Sequence, residues 1–64
     1  MTEEQARIGL ENVRSGQQSE IVVEKQDFLV FREILMKAED VAHFRGRARH
    51  HGITVYTYEP GWSK

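Results

Sequence analysis

The apolar residues near the start of the chain recur at the spacing of an amphipathic helix. They are Ala6, Leu10 and Val13. Thr2 and Gln5 have the spacing of a capping box, in which two side chains satisfy the free amides at a helix start. We therefore predict an N-terminal helix within residues 1–16, ended by Gly16 in a left-handed conformation.

The next apolar stretch combines a short β-branched run with a longer helical pattern. Ile21–Val23 is interpreted as a strand. After it, the apolar positions follow a helical period at Phe28, Phe31, Leu35, Ala38 and Ala42. The alternative is that residues 28–34 form a second strand, paired in a hairpin with residues 21–25. The helix is preferred because the intervening residues lack the glycine that such hairpins favour.

A short duplication lies in the middle of the chain. The hexapeptide DFLVFR, which begins at Asp27, is echoed by DVAHFR, which begins at Asp40. An acid that caps a helix start, followed one turn later by an aromatic residue, fits both copies. On one straight helix the copies would face opposite ways, because residues thirteen apart are rotated by about 220°. We therefore predict two helices, the second weakened at Gly46 and ended by Gly52.

The clearest strand is residues 53–58, where apolar and polar side chains alternate. We expect one face to carry Ile53, Val55 and Thr57, and the other to carry Thr54, Tyr56 and Tyr58. Pro60-Gly61 ends the strand in a turn. Residues 60–64 are expected to be a short tail.

Together these elements predict a small single α+β domain over residues 1–64. Its order is α-β-α-α-β, with a two-stranded sheet packed by helices on one face. The alternative, with a strand at residues 28–34, is α-β-β-α-β with a three-stranded sheet. The predicted core joins four residues from the helices and the last strand: Phe31, Leu35, Phe44 and Val55.

Composition narrows the functional classes. The chain has 64 residues, 39% of them hydrophobic and 30% charged, which is typical of a soluble globular domain. No cysteine is present, so disulfides and cysteine-based metal sites are excluded. No apolar run approaches the roughly 18 residues that span a bilayer, and the N-terminus is acidic, unlike a secretory signal. We expect a cytoplasmic protein of the small size common in bacteria and phages.

The net charge of −1 conceals a division along the chain. Residues 1–40 hold nine acids and five bases, which gives −4, and residues 41–64 hold one acid and four bases, which gives +3. Such a division predicts either a basic binding face or two complementary surfaces that meet in a dimer. Because a core of this size is marginal, association with a second copy is a common way to bury more apolar area.

The basic part of the chain is the first candidate site. It comprises Arg45, Arg47, Arg49 and His50. Arginines present bidentate charged donors, so this segment is a candidate for contacting nucleic acid or another anion. On the predicted helix Arg45 and Arg49 share a face and Arg47 lies on a neighbouring one. The alternative is a solvated helix end, where cations are favoured by the dipole.

A second candidate is an exposed patch on the outer face of the sheet, formed by Val22, Tyr56, Tyr58 and Trp62. An apolar and aromatic patch beside unpaired strand edges favours a protein partner. The leading hypothesis is therefore a non-enzymatic module that self-associates, as a homodimer, or binds another protein. The alternative is a nucleic-acid-binding module that uses residues 45–51.

Evidence for catalysis or cofactors is weak. Glu39, His43 and His50 share a helical spacing but match no metal-binding signature, so we predict no metal. The serines lie outside any nucleophile motif, and no glycine-rich phosphate loop is present. We predict no catalytic residues, no cofactor, no membrane partner and no small-molecule substrate.

Overall fold

A computed structural model describes residues 1–61, in which two helices pack on one face of a three-stranded antiparallel sheet. The elements in chain order are α1 Glu3–Arg14, β1 Ile21–Val23, α2 Phe28–Met36, β2 Phe44–Ala48 and β3 Thr54–Tyr58. Single 3₁₀ turns precede α2, β2 and β3. The predicted α+β class is confirmed, with a chain order of α-β-α-β-β among the described residues.

Helix α1 forms as its pattern predicts. The Thr2 hydroxyl accepts a hydrogen bond from the Gln5 amide at 3.1 Å, and the Gln5 side chain accepts one from the Thr2 amide at 2.9 Å. The helix ends before Gly16, whose φ of 86° is the left-handed conformation that glycine adopts without strain. Gly9 lies where a Cβ would meet Cδ1 of Ile21, so this glycine leaves room for the end of that side chain between α1 and β1.

Helix α2 spans the first copy of the duplication, so the alternative strand at residues 28–34 is wrong. Phe31, Ile34 and Leu35 turn towards α1 and the sheet and are buried. The helix stops at Met36, which confirms a break before the second copy.

The duplicated acids do not cap helices, because neither makes a side-chain capping bond. Instead they hold the two ends of α1. Asp27 accepts a hydrogen bond from the Met1 ammonium at 2.9 Å. Asp40 accepts two from the Arg14 guanidinium, both at 2.6 Å. The repeat therefore marks two tertiary anchors rather than two helix starts.

The predicted second helix of the duplication is wrong, because its residues form β2. Phe44, Gly46 and Ala48 alternate with arginines, and that period of two suits a strand. The predicted helix cap at Gly52 is also replaced: His51 and Gly52, with φ of 64° and 75°, make the tight turn from β2 into β3. Two consecutive residues with positive φ are typical of hairpin turns that match the strand twist.

Within residues 1–61 the sheet has the order β1-β3-β2, so the predicted two-stranded sheet gains a third strand. The alternative prediction had the right number of strands but put the third at residues 28–34. Ile21 pairs with Tyr56 across the β1–β3 ladder, and Gly46 pairs with Tyr56 across β2–β3.

The main core lies between the helices and the sheet. Of the four predicted core residues, Phe31, Leu35 and Phe44 are buried there together. Val55 is buried as well, but its alternation on β3 directs it to the other face, away from that cluster. Tyr56 takes the place in the core that was predicted for Val55.

Candidate functional site

Tyr56 and Tyr58 face the helices, which corrects their predicted position on the outer face of the sheet. The Tyr56 ring is 7% exposed and its centroid lies 4.9 Å from that of Phe31. The Tyr58 ring lies 4.9 Å from Phe44. Burial accordingly raises the pKa of the Tyr56 hydroxyl. These tyrosines are therefore part of the core rather than an exposed patch.

A cross-strand glycine explains this orientation. Gly46 lies opposite Tyr56, and a methyl group there would come within 2.8 Å of Cε1 of the Tyr56 ring. The bare backbone of β2 thus provides the space that the ring fills. Tyr56 and Tyr58 also bury more apolar area against the helices than Val55 and Thr57, on the opposite side of β3, would.

The opposite side of the sheet is the candidate functional site, which we name the outer face. Cross-strand partners share a face, so the ladders define its rows. In the middle row Val22, Val55 and Arg47 lie side by side, and in a second row Thr57 lies beside Arg45. Alternation extends the rows to the residues next to the strands: Arg49, Ile53 and Glu24 form a third row, and Glu20 joins the second.

Three arginines line the β2 side of the outer face. Arg45, Arg47 and Arg49 are all exposed. On the predicted helix they would have been divided between faces. In β2 and the extended residue that follows it they share one side, at a spacing of about 7 Å. The strand therefore assembles the row of cations that the predicted helix would have dispersed. His50, the fourth predicted contact, is exposed in the turn that follows.

The three arginines differ in their partners. Arg45 approaches Glu59, with 3.8 Å between Nη1 and Oε1, and Glu59 also accepts a hydrogen bond from the Thr57 hydroxyl. Among residues 1–61, no carboxylate lies within ion-pair distance of Arg47 or Arg49. The cationic row thus presents charge that its own described neighbours neutralise only at one end.

The β1 side of the outer face is acidic. Glu20 and Glu24 flank β1 and are exposed, with Val22 between them. Glu24 has extended backbone, with φ of −76° and ψ of 163°, so the alternation of β1 continues through it. The outer face therefore runs from acids on β1, through Val22 and the β3 residues, to arginines on β2.

The edge of β2 is a less suitable contact than the face. Among the described strands β2 pairs only with β3, which leaves its other edge open. If two β2 strands paired with each other, their arginine rows would lie side by side, and like charges across a ladder are destabilising. Charged side chains on an edge strand are a common device against such pairing.

A separate polar cluster joins α1 to the loop before β2. The Arg14 guanidinium binds both oxygens of Asp40 and also Glu11, at 2.8 Å, while lying 5.7 Å from the centre of the Phe44 ring. Hydrogen bonds from Arg14 hold the pKa of Asp40 below its usual value. Because both charges are saturated by each other, this cluster is a structural clamp.

The described residues hold no other evident site. No three acids or histidines within residues 1–61 are grouped to bind a metal, and Glu39, His43 and His50 fall on separate turns. Two depressions, of about 270 and 490 Å³, lie beside the helices and are open to solvent. The larger is lined by exposed residues of α2 and by Lys37, which follows it: Leu29, Arg32, Glu33, Met36 and Lys37. Trp62, the remaining predicted interface residue, lies outside the described residues.

Sequence reasoning missed the acidic half of the outer face and the alignment of the arginines. The available signals were the period of two in residues 44–49 and the glycine just before β3. The pairing of β1 with β3, which the predicted two-stranded sheet required, is confirmed, although it joins residues more than thirty positions apart.

The comparisons assign the chain to a family. Residues 3–57 match the model of the YkzS-like protein family, so the chain belongs to that family. The matched range includes both helices, β1, β2 and every outer-face residue named above. Searches of curated proteins and of solved structures find no match. Of the helices described, neither has the length and apolar character needed to cross a bilayer.

Proposed function

We propose that this protein is a non-enzymatic interaction module that binds another protein chain through the outer face of its sheet. The observation that carries the proposal is the row of Arg45, Arg47 and Arg49 beside Val22 and Val55, on the side of the sheet away from both helices. Arginine is enriched in protein interfaces because its guanidinium offers several directed donors and is weakly hydrated.

The outer face combines the elements of a small interface. Val22 is 52% exposed and adjoins the Val55 row, so a partner would remove apolar area from water there. The flanking arginines and glutamates would surround this contact with charge, which favours a specific orientation and faster encounter. No step of the proposal requires a catalytic group.

Photo-crosslinking tests which face is used. A benzophenone amino acid in place of Val22 reports on the outer face, and the same group in place of Ile8 reports on α1. The two positions are matched, at 52% and 53% exposed. We expect protein crosslinks in the native host cells from position 22 and far fewer from position 8. Equal yields from both positions would contradict the proposal.

Nucleic-acid binding is the second candidate, favoured by the alignment of the three arginines in one row. Such a row would contact phosphates, and its affinity would fall steeply with salt. The acids on the β1 side and the net charge of −1 weigh against it. A titration of parent and an Arg45→Gln, Arg47→Gln, Arg49→Gln variant with single- and double-stranded DNA and RNA tests it. Absence of binding to any of them at low salt would eliminate this candidate.

A further inference from the structure

We infer that the occupant of the outer face is a second copy of this chain, related by a two-fold axis that lies in the interface and runs along β3. This inference rests on the proposed function and makes it specific. It commits to face-to-face packing of two sheets, each contributing the same rows, as a two-fold contact requires.

The order of the rows makes the outer face complementary to itself. A two-fold axis along β3 exchanges the β1 and β2 sides while keeping each row at its own level. The arginine side of one copy then covers the acidic side of the other. Arg45 meets Glu20 of the second copy, because both lie in the Thr57 row. Arg49 meets Glu24 of the second copy, because both lie in the Ile53 row.

The middle row completes the match. At the level of Val55, Arg47 of one copy covers Val22 of the other, and the two Val55 residues lie nearest the axis. The long stem of an arginine packs readily on apolar surface while its charge stays near water. Aligned sheets pack with their strand directions within about 30° of each other and about 10 Å apart, which Arg and Glu side chains span.

The other symmetric arrangements are unfavourable. An axis across the strands would place the arginine row on the arginine row and acids on acids. Pairing of two β2 edges would likewise align arginines, and β1, with three residues, offers a short edge. Charge complementarity therefore selects the axis along β3.

The dimer is expected to be weak. The three rows span five residues of each segment (20–24, 45–49 and 53–57), and with strands about 4.8 Å apart they give a flat footprint near 14 by 17 Å per copy. Such an area belongs to the small, transient class of interfaces. We expect a dissociation constant between micromolar and millimolar, so association must be measured up to millimolar protein.

Two charge-swap variants of identical composition test the register. The matched swap combines Arg49→Glu with Glu24→Arg, which restores opposite charges between facing positions. The crossed swap combines Arg49→Glu with Glu20→Arg. It places two arginines together in the Thr57 row and two glutamates together in the Ile53 row. Within one copy, positions beside β1 and positions on β2 are about two strand spacings apart, roughly 10 Å. Attraction between the swapped charges of a single copy therefore does not reproduce the difference in dimerisation expected between the two variants.

Sedimentation equilibrium over a concentration series measures the outcome, with circular dichroism melts confirming that each variant folds. We expect the parent and the matched swap to dimerise with constants within a few-fold, and the crossed swap to be weaker by about tenfold or more. A parent that stays monomeric at millimolar concentration overturns the inference. So does equal weakening by both swaps, or binding of nucleic acid in place of self-association.

The proposed function and the second-copy inference can fail separately. If the parent is monomeric but position 22 still crosslinks to a different protein, the second-copy inference fails and the proposed function stands. If position 22 gives no protein crosslink and the parent is monomeric, the proposed function fails as well.

Discussion

The two faces of the sheet are built from the same strands but differ in what each residue type contributes. On the helix side, Phe44, Tyr56 and Tyr58 pack into or against the core between the sheet and the helices, and Gly46 leaves room for the Tyr56 ring. On the outer side, charges are separated by strand, with acids beside β1 and arginines along β2. Shape governs the first face and charge order governs the second.

This difference predicts how the two faces respond to substitution. Changes on the helix side should alter the free energy of unfolding, because they disturb a packed interior. Changes at the exposed residues of the outer side, such as Val22, Arg47 and Arg49, should leave stability nearly unchanged and alter association instead. We first predict effects in the packed interior and at the adjoining clamp, beginning with the largest, and test the outer face last.

Truncation in the core should have the largest effect. Phe31 is 0% exposed, so Phe31→Ala should lower the free energy of unfolding by about 3–5 kcal/mol, near the whole stability of a domain this small. Leu29→Ala is the matched control on the same helix, since Leu29 is 75% exposed. Urea denaturation of both measures the contrast. A Phe31 variant as stable as the Leu29 variant would contradict the assigned core.

Addition of a methyl group beneath Tyr56 should have an intermediate effect. Alanine normally suits a strand better than glycine, but at Gly46 the methyl group meets a buried, rigid ring. Gly46→Ala should therefore destabilise the fold by about 1–3 kcal/mol. Gly61→Ala, where nothing lies within 4 Å, is the control and should be neutral. Thermal melts compare the two, and stabilisation by Gly46→Ala would show that the ring does not occupy this position.

The clamp between α1 and the loop before β2 should have the smallest and most pH-dependent effect. Because the pKa of folded Asp40 is lowered, its contribution is present above the ordinary aspartate pKa of about 3.9 and is lost as pH falls through the folded value. Asp40→Asn should cost about 1–2 kcal/mol at pH 7, and this difference should shrink towards pH 3.

Glu33→Gln is the control for that prediction. Glu33 pairs with Lys37 at 3.7 Å on an exposed helix surface, and such pairs contribute little. Denaturant titrations of parent and both variants at pH 7 and pH 3 give the comparison. A pH-independent loss in the Asp40 variant would mean that its carboxylate charge is not what stabilises the clamp.

The two helices were largely predictable from local pattern. The capping box of Thr2 and Gln5, the glycine stop of α1 and the helical ribbon around Phe31 all act within a few residues. Each is therefore visible in the sequence without knowledge of the fold.

The outer face was less predictable because long-range contacts determine it. Alternation along β3 is compatible with either set of side chains facing the helices. The tyrosines turn inwards because Gly46, ten positions away from Tyr56, leaves room for a ring. The sequence of β2 also gives little hydrophobic indication of a strand, because Gly46 and Ala48 are the small residues that alternate with its arginines. The same arginines that were identified as candidates thus acquired their common direction only from the sheet.

The most direct test of the central claim is to map which face responds when the protein is concentrated. Backbone amide spectra of ¹⁵N-labelled protein at micromolar and at millimolar concentration would locate any contact residue by residue. We expect shifts concentrated at Val22, Arg47 and Val55, with α2 unchanged around Leu29 and Met36. Shifts confined to α2, with the outer face unaffected, would contradict it.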